Sequence, residues 1–244
     1  ANHVIYLDFD GHRTTDTWWN IDEDNPHEVI VTPQYDTDGN ADNFSTDERR
    51  AIWNIWRRVS EDFSPFNVNV TTEAPSLNRL RKTSESDTQW GVRVAIGGSY
   101  RDWLNTEAGG IAYLETFSSK VDIPEFVFSD DRKGGAEKSV AEAVSHEVGR
   151  ALGLHHDGYG DVGEDSMSAL ACTCSHCSGL NHVGYDRLID AINKDENSNS
   201  EADAYYAGHG VGLTSWNSIM GTDTRRTNQL TQWSKGEYTD ANQQ

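Results

Sequence analysis

The sequence predicts a mixed α/β (α+β) fold in one domain spanning residues 1–244. Three observations predict it. Five short segments carry β-favouring residues between turn formers, and two longer segments carry apolar residues at helical spacing. No linker or break in composition separates the strand patterns from the helix patterns. A chain of 244 residues is long enough for one large core, and eight tryptophans supply bulky side chains to fill it.

The elements follow in chain order. "HVIYLDFDG" (3–11) reads as a strand, with Val4, Tyr6 and Phe9 among its β-favouring residues and Gly11 as its stop. "DTDGNADNFS" (36–45) is a polar turn region. "STDERRAIWNIWRRVSEDF" (45–63) is a helix: Ser45 and Glu48 make a capping-box pattern, and Ile52, Ile55, Trp56, Val59 and Phe63 line one face. "FNVNVTTE" (66–73) and "WGVRVAIGG" (90–98) are strands around a polar stretch, and "GGIAYLETF" (109–117) and "PEFVFSD" (124–130) are two more. "GGAEKSVAEAVSHEVGRALG" (134–153) is the strongest helix, with Val140, Ala143, Val144, Val148, Ala151 and Leu152 as its stripe and Gly153 as its end. Residues 159–213 are rich in Gly, Asp, Asn and Ser and read as a loop-rich insertion. "TSWNSIMGT" (214–222) is a turn, and "LTQWSKGEYTDANQ" (230–243) is expected to be a closing helix.

Composition narrows the function. Forty acidic against 20 basic residues give a formal net charge of −20. Such a surface repels phosphate backbones and anionic lipids, so neither nucleic acid nor a membrane is an expected partner. It suits high ionic strength and divalent cations. No apolar run has the length of a membrane span, and the chain opens directly into strand-like sequence, without a signal-peptide pattern. The three cysteines, Cys172, Cys174 and Cys177, sit together with His176 in "ACTCSHCSG" and do not form a distributed disulfide framework. One disulfide with a spare thiol is the simpler reading, and a soft-metal cage the strained one.

Chemistry concentrates in "SHEVGRALGLHHDG" (145–158). His146 and Glu147 open the pattern H-E-x-x-H, which puts two imidazoles on one helix face. In the longer pattern H-E-x-x-H-x-x-G-x-x-H, Gly153 and His156 fall on register. Glycine lets the chain leave the helix sharply, so that His156 can swing back. Ser218-Ile219-Met220-Gly221 follows much later as a tight turn. These residues, with Asp157 after the last histidine, resemble the metzincin zinc endopeptidases, most closely a cysteine-poor reprolysin (adamalysin-like) form. The resemblance implies a twisted, mixed five-stranded sheet, a backing helix, an active-site helix and a Met-turn in a monomeric secreted protease. It implies zinc on His146 and His156, Glu147 as general base and acid towards a zinc-activated water, and Gly153 and Met220 as structural support. It also implies an extended polypeptide substrate, added to the edge strand "GGIAYLETF" by β-augmentation.

Arg150 departs from the pattern, because it stands where the second histidine ligand belongs. Guanidinium offers a metal no lone pair and does not deprotonate. Zinc is therefore expected to bind weakly or not at all, and hydrolysis to be impaired. A salt bridge from Arg150 to Glu147 would fill the emptied place. The alternative is a dead pseudoprotease that binds peptides without cutting them. His155 is expected to point away, while His176, His182 and His209 would have to fold back to rescue the site. The intact remainder of the motif fits a recent or introduced change better than a long-standing loss. Asp36, Asp38, Asn40 and Asp42 alternate oxygen donors as calcium loops do, although a solvated turn is the simpler reading, and calcium-dependent adhesion is a third function class. Tyr159, Tyr185 and the tyrosines of "DAYYAGHG" are aromatic packing before they are oxyanion donors.

Overall fold

The computed structural model describes residues 1–21, 26–156, 216–221 and 230–233. They form a mixed α/β structure on a five-stranded mixed sheet. Its strands are numbered with all others in chain order: β1 (His3–Asp8), β2 (His12–Thr14), β3 (Ile30–Thr32), β4 (Val68–Thr71), β5 (Gly91–Ile96), β6 (Gly110–Ile111), β7 (Glu125–Val127), β8 (Trp216–Ser218) and β9 (Leu230–Gln232). The helices are α1 (Thr46–Asp62) and α2 (Glu137–Ala151). The sheet order is β4-β1-β5-β7-β6, with parallel pairing throughout except for β6, which runs antiparallel to β7 at the edge.

Strand alternation assigns the two faces. Ile5 and Leu7 of β1, Val92, Val94 and Ile96 of β5 and Val127 of β7 point to the helices, where they meet Ile55 and Val59 of α1 and Val140, Val144 and Val148 of α2. Val4 and Tyr6 point the other way, as do Ala95 and Phe126. That second face is closed by Trp19, Trp103 and Ile111. The indole N–H of Trp19 donates to the carbonyl of Pro124 at 2.8 Å, which satisfies its one polar atom inside the core.

Helix α1 begins as its capping box requires. The Ser45 hydroxyl accepts from Glu48 N at 3.2 Å, and the Glu48 carboxylate accepts from Ser45 N at 2.8 Å. Its Trp56 indole donates to the carbonyl of Val70 at 2.8 Å and pins the helix to β4. No helix among the described residues is long and apolar enough to cross a membrane.

Three expectations need correction. Leu230–Gln232 is strand β9, parallel to β8, and not the start of a closing helix. There the backbone gains a ladder partner that outweighs local helix propensity. The segment "GGIAYLETF" is strand only at Gly110–Ile111, since Glu115 takes φ 62° in a turn. Leu152 is not in the buried stripe: it caps α2 and is 44% exposed. Strands β2 and β3 pair antiparallel and went unread, being three residues each.

Candidate functional site

Helix α2 carries the site and ends in a way that builds it. Gly153 has φ 94°, and its N–H donates to the carbonyl of Arg150 at 2.8 Å. The N–H of Leu154 reaches the carbonyl of Gly149 at 2.9 Å. This pair of bonds is a Schellman ending, which needs the left-handed residue that glycine supplies without a Cβ clash. The carbonyls of Arg150 and Ala151 also accept from Glu115 N at 3.1 Å and Phe117 N at 3.0 Å, so the turn after β6 caps the helix from outside.

The turned chain brings His156 back over the helix. Its ring lies 5.2 Å from that of His146, centroid to centroid, at an interplanar angle of 32°. His146 Nδ1 is 2.9 Å from the carbonyl oxygen of Ile219. A carbonyl only accepts, so Nδ1 carries a proton, and in the neutral ring the lone pair is on Nε2. Burial pushes the His156 imidazole down to about 2, and the charge of Arg150 and then the neighbouring His146 and His155 push the same way. His156 is therefore neutral, the form that can donate a lone pair.

The turn at 218–221 holds His146 through the carbonyl of Ile219. Ser218 Oγ accepts from Met220 N at 3.2 Å, and Ile219 N donates to the carbonyl of Gln232 at 3.0 Å. Met220 is buried, and a Cβ built on Gly149 would lie 2.6 Å from its sulfur. Glycine at 149 thus lets Met220 seat directly against α2, a role that the sequence pattern did not single out.

Glu147 is also enclosed. Its carboxylate lies so close to Gly110 of the edge strand that a Cβ there would be 2.7 Å from Oε1. Burial pushes its carboxyl up to about 7, against the pull of Arg132 and then of Arg150. Arg132 packs on Gly109, where a Cβ would lie 2.5 Å from its guanidinium carbon. Glu125 shares the helix-facing side of β7 with Val127 and is 1% exposed. Among the described residues neither of its carboxylate oxygens has a hydrogen-bond partner, and its carboxyl is pushed up by burial and then by Glu147. Arg132 is a long-range neighbour without a local signal. Glu125 did have one: a carboxylate in the apolar run "PEFVF".

Arg150 is 7% exposed and donates from Nη1 to the carbonyl of Leu154 at 3.2 Å. Its charge acts on Glu147 and His156 alike. Among the described residues the donor set falls short of a catalytic zinc site: two imidazoles are brought together, but the expected third ligand position is taken by Arg150, a buried cation with no lone pair. His155 is exposed, as its adjacent position demands. Asp157, Tyr159, Cys172, Cys174, His176, Cys177, His182, Tyr185, His209 and the insertion lie outside the described residues.

The acidic turn is rearranged relative to its sequence reading. Asp36, Asp38 and Glu48 bring one carboxylate oxygen each within 4.8 Å of one another and could hold a cation. Asp42 is not in this group of carboxylates; its N–H donates to Asn40 Oδ1 at 3.4 Å, and Asp38 Oδ1 accepts from Asn40 N at 3.0 Å. Glu48 joins through the helix cap, where it also accepts from Thr37 N at 2.8 Å. Neither a family model nor a curated protein matches this chain.

Proposed function

We propose that the chain is a metzincin-type zinc endopeptidase scaffold whose metal centre is disabled by Arg150. The observation that carries this reading is the approach of His146 and His156 to 5.2 Å at the end of a helix that also buries Glu147. That juxtaposition depends on Gly153, Gly149, Gly110 and Met220 together, each of which serves the site at a distinct point. A helix chosen only for packing has no need to bury a carboxylate such as Glu147. The parental activity is hydrolysis of extended polypeptide outside the cell, by a monomer. No catalytic step is assigned to zinc, because among the described residues Arg150 stands where a ligand is needed. In this reading Glu147 is the proton-accepting carboxylate, and the charges of Arg132 and Arg150 bear on it.

A second reading, a peptide-binding pseudoprotease, draws on the way Arg150 is built in: buried, and bonded to the carbonyl of Leu154. Calcium at Asp36, Asp38 and Glu48 would be a structural aid to either. Substituting Arg150→His and measuring zinc content with casein cleavage separates them. Gain of both supports a disabled protease, and gain of neither supports the binding module.

A further inference from the structure

Helix α1 carries, on the side away from the sheet, a set of residues that the proteolytic reading does not use. Four of the chain's 20 basic residues, Arg49, Arg50, Arg57 and Arg58, fall within its 17 residues, and all four are exposed. This density is well above the chain average and opposes a net charge of −20. Trp53 lies among them, 52% exposed, with the Arg57 guanidinium 4.9 Å above its ring.

Arg49, Trp53 and Arg57 recur every fourth residue, so they form one line about 12 Å long on the helix surface. The neighbouring charges are accounted for. Arg50 is paired with Asp47, Arg58 acts on Asp62, and Glu48 is turned inward at the cap, while the exposed Glu61 lies one turn beyond Arg57 and closes the basic stretch of the line. Among the described residues Arg49 and Arg57 form no ion pair. Guanidinium pairs with carboxylate in a two-pronged geometry, and Trp and Arg are among the residues enriched at binding hot spots.

We propose that this line is a docking surface for a short acidic peptide segment whose carboxylates flank one apolar side chain. An extended peptide rises about 3.3 Å per residue with alternate side chains on one side. The pattern acid-x-apolar-x-acid therefore spans about 13 Å and sets its carboxylates over Arg49 and Arg57, with the apolar group on Trp53. Nucleic acid fits less well, since a long phosphate backbone would run beyond the line into the acidic remainder of the surface. A short peptide meets only the local field, within a Debye length of about 8 Å.

Fluorescence anisotropy with a labelled peptide of this pattern, glutamates around a central phenylalanine, tests the proposal without any protease assay. The unchanged chain is expected to bind, R49Q/R57Q and W53A each to weaken binding at least about tenfold, and R58Q, off the line, to retain it. All four proteins are expected to unfold at similar temperatures, because the substituted side chains are exposed. A glutamine version of the peptide is expected to bind at least about tenfold more weakly. Equal binding by R49Q/R57Q and the unchanged chain overturns the proposal, and so does tighter binding of a single-stranded oligonucleotide of equal charge.

Discussion

His146 and His156 face each other at 5.2 Å because Gly153 takes φ 94° and turns the chain back over its own helix. This one residue links the end of α2 to the geometry of the site. Gly153→Ala places a Cβ in the left-handed region and 3.3 Å from Glu115 Cγ. The expected loss is about 1–2 kcal/mol, read by urea unfolding. An unchanged midpoint would mean that the turn is not strained by a side chain.

Gly110 makes a related demand from the sheet edge. A Cβ there meets Glu147 Oε1 at 2.7 Å and the Phe126 carbonyl oxygen at 3.0 Å, and the latter is backbone that cannot step aside. Gly110→Ala is expected to cost about 1–3 kcal/mol. In an Arg150→His background it should lower any cleavage more than it lowers stability, since Glu147 is displaced. Parallel activity and melting measurements decide the point.

Asp62 bears on neutral-pH stability. Its carboxylate accepts from the Ser145 hydroxyl at 2.7 Å, yet burial pushes its pKa up to about 6, with Glu142 and Glu61 adding to the rise. A folded value above the unfolded one, near 3.8, favours the protonated acid in the fold. Stability from this group is therefore present below pH 3.8 and lost as pH rises through 6. Asp62→Asn removes the ionisation, so it should stabilise the protein by about 1–3 kcal/mol at pH 7 and change little at pH 3.5. A variant that is less stable at pH 7 would contradict this.

His12 acts in the opposite direction. Burial and then the Arg93 charge lower it to about 4, although Asp8 lies 3.6 Å away. The unfolded chain takes up this proton first, so stability falls as pH drops from about 6.5 towards 4. His12→Gln should flatten the slope of melting temperature against pH in that window. An unaltered slope would show that His12 is not the titrating group.

The fold was legible where local and tertiary preferences agree. The Ser45–Glu48 box marks the start of α1, and Gly153 marks the end of α2. Leu230–Gln232 was misread because its pairing with Trp216–Ser218 comes from a distant stretch of chain. The His146, Glu147, Gly153 and His156 spacing is readable because it is local to one helix and its exit. Arg132 reaches Glu147 only through tertiary packing and leaves no local signal, whereas Glu125 is marked only by being a carboxylate in the apolar run "PEFVF". The acidic turn shows the same divide: Asp36 and Asp38 are visible as a run, but Glu48 joins them only once α1 is capped.

The most direct measurement is zinc stoichiometry together with casein cleavage, for the chain as it stands and for Arg150→His. The account predicts little zinc and little cleavage for the first. For the second it predicts zinc approaching one ion per chain and cleavage at least about tenfold higher, as a third imidazole completes the donor set. Full zinc and equal cleavage in both proteins would contradict it.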